Sequence, residues 1–168
     1  PVREPVGYDS VVELEVEGEV QAENGFCGEI NFGGIQMGQA KAVLTGGVER
    51  ATGTDVTGVG YISPTSIRKW NSMNSRASWK VYMPEGEREL TICYSCDSLS
   101  AGQPYWVEVE GAGMIEAKTL AGPKGFEEFY TRHLGKVKFP HAGIYTIHVR
   151  PAVTPRKELF GLNWLFLE

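Results

Sequence analysis

The sequence predicts an all-β fold, a β-sandwich of the jelly-roll type, and three observations support this prediction. Apolar residues recur with a period of two over many short segments, which is the period of strands and not of helices. Glycine (21) and proline (9) are scattered between these segments, where they favour turns. A succession of short strands separated by such turns is typical of sandwiches and jelly rolls.

Individual strands follow from this alternation. The predicted strands are residues 11–17, 77–83, 89–96, 105–110, 136–139, 143–149 and 162–167. In the strand 143–149, Tyr145, Ile147 and Val149 fall on one face and His148 on the other, so we expect one sheet face to be wet and His148 to lie at the surface. A helical turn is expected only within residues 124–134.

Charge is unevenly distributed along the chain. The first 30 residues hold eight acids and one base, a net charge of −7, whereas the remainder holds 13 acids and 15 bases, a net charge of +2. We predict a domain boundary near this step, with residues 1–25 forming the tail strand of a preceding domain or a linker and residues 26–168 the sandwich. The acidic total argues against nucleic acid and anionic membranes as partners.

Composition and motifs exclude several further classes. The chain is 42% hydrophobic, which is too rich for disorder, and it contains no apolar run of about 18 residues that could span a bilayer. It also lacks a Gly-x-Ser-x-Gly elbow, a Walker loop and a His-Glu-x-x-His motif. We therefore do not expect the chain to be an enzyme.

Cys93 and Cys96 have the spacing of a redox or zinc motif. Three residues of extended strand cover about 10 Å, which is too far for a disulfide, and no second pair of this spacing completes a zinc site. We predict buried structural thiols. Cys27 could pair with either of them if the protein is secreted.

The four tryptophans divide by position. Trp79, Trp106 and Trp164 lie within predicted strands, and we expect all three in the core. Trp70 lies instead in the longest segment without strand character, residues 62–78, and long loops are more often functional than idle.

Trp70 is also surrounded by positive charge. No acid occurs between positions 55 and 85, whereas four bases do, namely Arg68, Lys69, Arg76 and Lys80. An exposed indole in this setting would stack on a sugar ring, and the bases would favour a sulfated or uronic glycan. The alternative is that Trp70 folds inward and anchors its loop.

Several motifs follow one another in an order that is informative as a whole. Val-Gly-Tyr (59–61) is followed by Trp-Lys-Val-Tyr-Met-Pro-Glu-Gly (79–86), Leu-Thr-Ile-Cys-Tyr-Ser-Cys (90–96), Ser-Ala-Gly-Gln (100–103), Gly-Ile-Tyr-Thr-Ile-His-Val (143–149) and Leu-Asn-Trp-Leu-Phe-Leu (162–167). This order resembles the β-sandwich modules of bacterial α-L-fucosidases and sulfatases. Those modules are similar to carbohydrate-binding families 6 and 35, so the resemblance implies a galactose-binding-like jelly roll over about residues 35–168.

The acidic beginning carries a second resemblance. Tyr-Asp-Ser-Val-Val-Glu-Leu-Glu-Val-Glu-Gly (8–18) looks like the last strand of the small sandwich that follows the catalytic barrel in family 29 α-L-fucosidases. The resemblance implies that this chain is a non-catalytic accessory domain of such a glycoside hydrolase, and that the catalytic carboxylates belong to the barrel. No targeting signal fixes the compartment, and the resemblance favours the periplasm or the outside of the cell.

Family positions also imply particular site residues. They correspond to Asn163, before the last strand, and to the aromatic residues Phe126 and Tyr61, to which we add Trp70 and its basic neighbours Arg68 and Arg76. The structural calcium of family 6 requires an Asp where this sequence has Leu165, so no cofactor is expected.

The expected partners are an oligo- or polysaccharide and the parent catalytic domain in cis. The alternative is a structural sandwich that binds no sugar and covers the catalytic domain or an oligomer interface, with Trp70 as an interface anchor.

Overall fold

The computed structural model describes residues 15, 17, 25–28, 33–51 and 66–168, and these residues form strands and short turns. The strands are β1 (Phe26–Cys27), β2 (Ile35–Gly38), β3 (Val43–Thr45), β4 (Glu49–Ala51), β5 (Ser66–Arg68), β6 (Arg76–Met83), β7 (Gly86–Ser95), β8 (Pro104–Val109), β9 (Gly113–Lys118), β10 (Tyr130–Phe139), β11 (Gly143–Pro151) and β12 (Gly161–Leu167). Short 3-10 turns occupy Gln39–Lys41 and Gly125–Glu127. No helix of the described residues is long and apolar enough to cross a membrane.

The strands form two sheets, which confirms the predicted all-β sandwich. The first sheet has the order β1-β6-β11-β8-β9, with β3 also paired to β6. The second has the order β10-β7-β12-β5-β4, with β2 also paired to β12. Strands distant in sequence are therefore neighbours, as in β6 beside β11 and β7 beside β12. The predicted strand 11–17 and the boundary near residue 25 involve residues outside the described set and stay predictions.

Alternation along each strand builds the core. In β6, Ala77, Trp79, Val81 and Met83 are buried while the residues between them are not. The Trp79 indole reaches across to the second sheet, where its Nε1 donates a hydrogen bond to the Gly38 carbonyl oxygen at 2.9 Å. The core position predicted for Trp79 is confirmed.

An aromatic cluster around Phe160 fills one end of the core. The Phe160 ring lies 5.3 Å from the ring of Trp70, 5.3 Å from that of Tyr94 and 5.2 Å from that of Tyr105, measured between centroids. All four rings are buried. Because Tyr94 belongs to the second sheet and Tyr105 to the first, the cluster joins the two layers and the segment that carries Trp70.

Two tryptophans expected in the core lie on outer faces instead. Tyr105 and Val107 point inward, so Trp106 between them points outward, where it lies 4.2 Å beneath the Arg150 guanidinium. Trp164 is likewise half-buried on β12, where the next residue, Leu165, points inward. The prediction was wrong for both because an aromatic residue within an alternating strand can belong to either face.

His148 is also misplaced by the sequence analysis, since it is only 7% exposed. Its Nδ1 lies 2.7 Å from the Ser78 hydroxyl and its Nε2 lies 2.8 Å from a Glu110 carboxylate oxygen. The hydrogen bond from His148 is the main cause that lowers the pKa of Glu110. These are residue types of a hydrolytic triad, but Ser78 lies in the middle of β6 and not on a strand-to-helix turn, so we interpret the network as structural.

The cysteines behave as buried thiols. Cys27, Cys93 and Cys96 are all buried and none forms a disulfide in the structure. Burial raises the pKa of the Cys96 thiol to about 11 and raises the pKa of the other two. The prediction of buried thiols at Cys93 and Cys96 is confirmed.

Two segments differ in detail from the prediction. Residues 124–134 contain the expected turn, Gly125–Glu127, but β10 begins immediately afterwards at Tyr130. Among the described residues of 62–78, residues 66–68 form β5 and β6 begins at Arg76, so the loop between these two strands is 69–75.

Replacing Trp70 by Ala should destabilise the fold by about 3–5 kcal/mol, because the change leaves a large cavity beside Phe160. Urea unfolding followed by circular dichroism measures this effect. The matched control is Trp106→Ala, which removes a half-exposed indole and should cost about 1–2 kcal/mol. Equal losses for the two variants would contradict the buried placement of Trp70.

Candidate functional site

Three of the predicted site residues, Arg68, Phe126 and Asn163, lie at one end of the second sheet. Arg68 ends β5 and Asn163 lies in β12, and these two strands are adjacent. The turn Gly125–Glu127 places the Phe126 ring 4.0 Å from the Arg68 guanidinium carbon. Together with Glu158, which binds Arg68, these residues are called the sheet-end cluster below.

Glu158 fixes Arg68 in place. Arg68 Nε and Nη2 each lie 2.7 Å from a different oxygen of the Glu158 carboxylate, a two-pronged ion pair. The same carboxylate accepts a hydrogen bond from the backbone N–H of Lys69, which has a positive φ of 63°. The Arg68 charge is thus neutralised, and the held guanidinium supports the Phe126 ring.

Asn163 occupies a β-bulge in β12. In the pairing with β7, Leu162 lies opposite Tyr94 and Trp164 lies opposite Cys93, so Asn163 is an extra residue without a partner in β7. It is half-exposed. Among the described residues, no group is hydrogen-bonded to its side-chain amide.

Trp70 requires a correction. We expected an exposed indole, but Trp70 is 0% exposed. Its Nε1 donates a hydrogen bond to the Ile67 carbonyl oxygen at 2.8 Å, and its own carbonyl oxygen accepts one from the Leu159 N–H at 3.2 Å. Removing the large apolar ring from water stabilises the folded state. Trp70 therefore anchors its loop, as the alternative interpretation stated. It is available neither for stacking on a sugar nor as an interface anchor.

Arg76, another predicted site residue, does not join the cluster. Arg76 begins β6 in the first sheet, where its charge contributes to the lowered pKa of Glu110. Tyr61 lies outside the described residues, so its predicted role stays a prediction.

The predicted positive charge of the loop is largely compensated by acids that are distant in sequence. Arg68 pairs with Glu158, and Lys69 Nζ lies 2.7 Å from a carboxylate oxygen of Glu49. The absence of acids between positions 55 and 85 therefore does not make this surface strongly positive.

An aromatic pair that was not among the predicted site residues lies on the outer face of the second sheet. The Trp164 and Phe166 rings have centroids 6.5 Å apart and planes inclined by 77°. With Gln36 of β2 they line an open depression of about 260 Å³. The signal was present in the sequence, because Leu165 and Leu167 face the core and the residues that alternate with them must face outward.

The position where family 6 modules have a calcium-binding Asp offers no ligand in this chain. Leu165 is fully buried in the core, and its side chain has no oxygen for a hard cation. Among the described residues, no three His, Cys, Asp or Glu side chains converge on a common point.

Comparison with known proteins identifies relatives of the fold. No family model and no curated protein matches the chain. Solved structures do match: a family 35 carbohydrate-binding module (CBM35) from Cellvibrio japonicus Abf62 is 15% identical with a TM-score of 0.59, covering 80% of this chain and 92% of that one. A family 35 module from Clostridium thermocellum is 12% identical with a TM-score of 0.60, covering 80% and 96%.

Larger enzymes contain the same fold as one part. The GH26-CBM35 β-(1,4)-mannanase of Podospora anserina is 16% identical with a TM-score of 0.59, and the match covers 80% of this chain but only 27% of the mannanase. At these identities the comparisons establish the shared fold, a family 35-like β-sandwich, and leave the predicted α-L-fucosidase context untested.

Replacing Glu158 by Ala should destabilise the protein by about 2 kcal/mol, because Arg68 and the Lys69 N–H both lose a charged, partly buried acceptor. Chemical denaturation measures the change. The matched control is Glu49→Ala, which removes an exposed ion pair to Lys69 and should cost at most about 0.5 kcal/mol. A Glu158 variant as stable as the control would show that the ion pair does not organise the cluster.

Proposed function

We propose that the chain is a non-catalytic carbohydrate-binding domain, and that the sheet-end cluster contacts the sugar. The observation that carries the proposal is a fixed aromatic ring, Phe126 on Arg68, at the same sheet end as the amide of the half-exposed Asn163. The shared fold with family 35 modules supports the same conclusion.

The chemistry of the cluster suits a sugar. The C–H face of a pyranose packs on an aromatic ring, and an amide both donates to and accepts from hydroxyl groups. One phenylalanine ring offers less area than a tryptophan, so we expect weak binding, with a dissociation constant on the order of 1 mM.

The preferred ligand in this proposal is a neutral glycan. Arg68 is occupied by Glu158 and Lys69 by Glu49, so neither presents an open charge to a sulfate or a carboxylate. A neutral ligand avoids competition with these ion pairs. The sequence alone had left a charged glycan open as an additional ligand.

We further propose that the parent protein is a glycoside hydrolase of the α-L-fucosidase type, acting in the periplasm or outside the cell. The support is the resemblance of residues 8–18 to the end of the sandwich in those enzymes. In this proposal residues 1–25 connect to the catalytic part, and the sandwich holds that part on its polysaccharide.

A second candidate function is an interface with another protein. Tyr82 and Ile144 are direct cross-strand neighbours in the first sheet, and their exposed fractions are 54% and 60%. Exposed apolar pairs of this kind occur at protein contacts. This surface is on the opposite layer from the sheet-end cluster, so a protein contact there would not obstruct sugar binding.

The test is calorimetric titration of the 168-residue chain with galactose, β-1,3-galactotriose, panose, mannotriose and L-fucose. Phe126→Ala should weaken binding by about tenfold, because the stacking surface is lost. Phe26→Ala is the matched control, since Phe26 is 37% exposed but belongs to the first sheet, and it should leave affinity unchanged.

Lack of binding to every sugar of this panel by the unmodified chain would contradict the proposed function and favour the interface role. Equal weakening by the two phenylalanine variants would contradict the placement of the site.

A further inference from the structure

We propose that Trp164, Phe166 and Gln36, called the aromatic corner below, form a second sugar subsite that holds one neutral pyranose unit of an oligosaccharide bound at the sheet-end cluster. The inference rests on the proposed function for its class of ligand. It adds a separate set of contacts, on the outer face of the second sheet, that determines how chain length affects affinity.

Strand register places these residues side by side. Phe166 lies between Gln36 of β2 and Thr91 of β7. Trp164 lies between Gly38 and Cys93 in the next row. A Cβ atom added at Gly38 would meet nothing within 4 Å, so open space adjoins the Trp164 position. The corner therefore has room for a ligand beside its larger ring.

Ring geometry limits what fits. Because the two planes are inclined by 77°, the rings cannot lie under one flat ligand together. One ring can support the C–H face of a sugar while the other flanks its edge, and the Gln36 amide can bind hydroxyl groups. A depression of about 260 Å³ with this shape suits a single sugar unit and not the flat surface of a crystalline polysaccharide.

The surroundings favour a sugar over a protein partner. Thr91 and His133 continue the same row across the sheet, so polar side chains border the two rings. The exposed apolar pair Tyr82 and Ile144 lies on the other sheet. A stable protein interface buries about 800 Å² on each partner around an apolar centre, which one aromatic pair does not provide.

Distance along β12 connects the corner to the first subsite. Asn163 and Phe166 are three residues apart on one strand, so their backbones are about 10 Å apart. An oligosaccharide of a few units can span this distance. A second contact on the same chain raises affinity without any change at the first, because the second contact is intramolecular.

The experiment compares affinity for a single sugar with affinity for a longer chain. Calorimetry on the 168-residue protein gives dissociation constants for galactose against β-1,3-galactotriose, glucose against panose, and mannose against mannotriose. The unmodified protein should bind one trisaccharide at least about tenfold more tightly than its monosaccharide. Trp164→Ala should abolish this gain while the monosaccharide affinity stays within about twofold.

Controls separate binding from folding. Trp106→Ala removes a half-exposed indole from the first sheet and should preserve the chain-length gain. Gln36→Ala changes an exposed side chain at the corner, so this variant should fold even if Trp164→Ala does not. It should reduce the difference in affinity between the trisaccharide and its monosaccharide. Thermal melts establish that each variant is folded.

The outcomes are distinct. The corner subsite is overturned if both Trp164→Ala and Gln36→Ala still bind the trisaccharide more tightly than its monosaccharide. It is also overturned if the unmodified protein binds both sugars equally well. In either case the proposed function still stands. If the unmodified protein binds none of the six sugars, the proposed function and this inference fail together.

Discussion

The burial of Trp70 against Phe160 is the contact on which the arrangement of the site depends. Phe160 also touches Tyr94 and Tyr105, so one ring connects the two sheets with the loop after β5. With the indole inside, Arg68 is positioned to meet Glu158 and Phe126. β12 begins directly after Phe160, so the same packing also sets the position of the strand that carries the proposed sugar contacts.

Charge compensation is the second organising feature. Residues 68–80 contain four bases, yet acids from β4 and from the segment before β12 pair with two of them, Arg68 and Lys69. The charges of Arg68 and Lys69 therefore stabilise this end of the sandwich, and the Arg68 guanidinium also supports the Phe126 ring. Because both charges are paired, neither is open to an anionic ligand. Recognition in this account depends on rings and amides, which suits a neutral sugar.

Local patterns predicted the fold class and six of the twelve described strands, because alternation is a property of neighbouring residues. They did not determine which face of a strand meets the core, as Trp106 and His148 show. The Arg68–Glu158 pair joins residues 90 positions apart, and no local pattern reveals such a pairing. Trp164 and Phe166 could have been found, because Leu165 and Leu167 alternate with them and fill the core.

The most direct test of sugar binding by the second sheet is nuclear magnetic resonance of the isotope-labelled chain, titrated with whichever oligosaccharide binds most tightly. The account predicts that chemical-shift changes concentrate at Phe126 and Asn163 and extend along β12 to Trp164 and Phe166. Changes concentrated around Tyr82 and Ile144 on the first sheet, or no changes at saturating sugar, would contradict it.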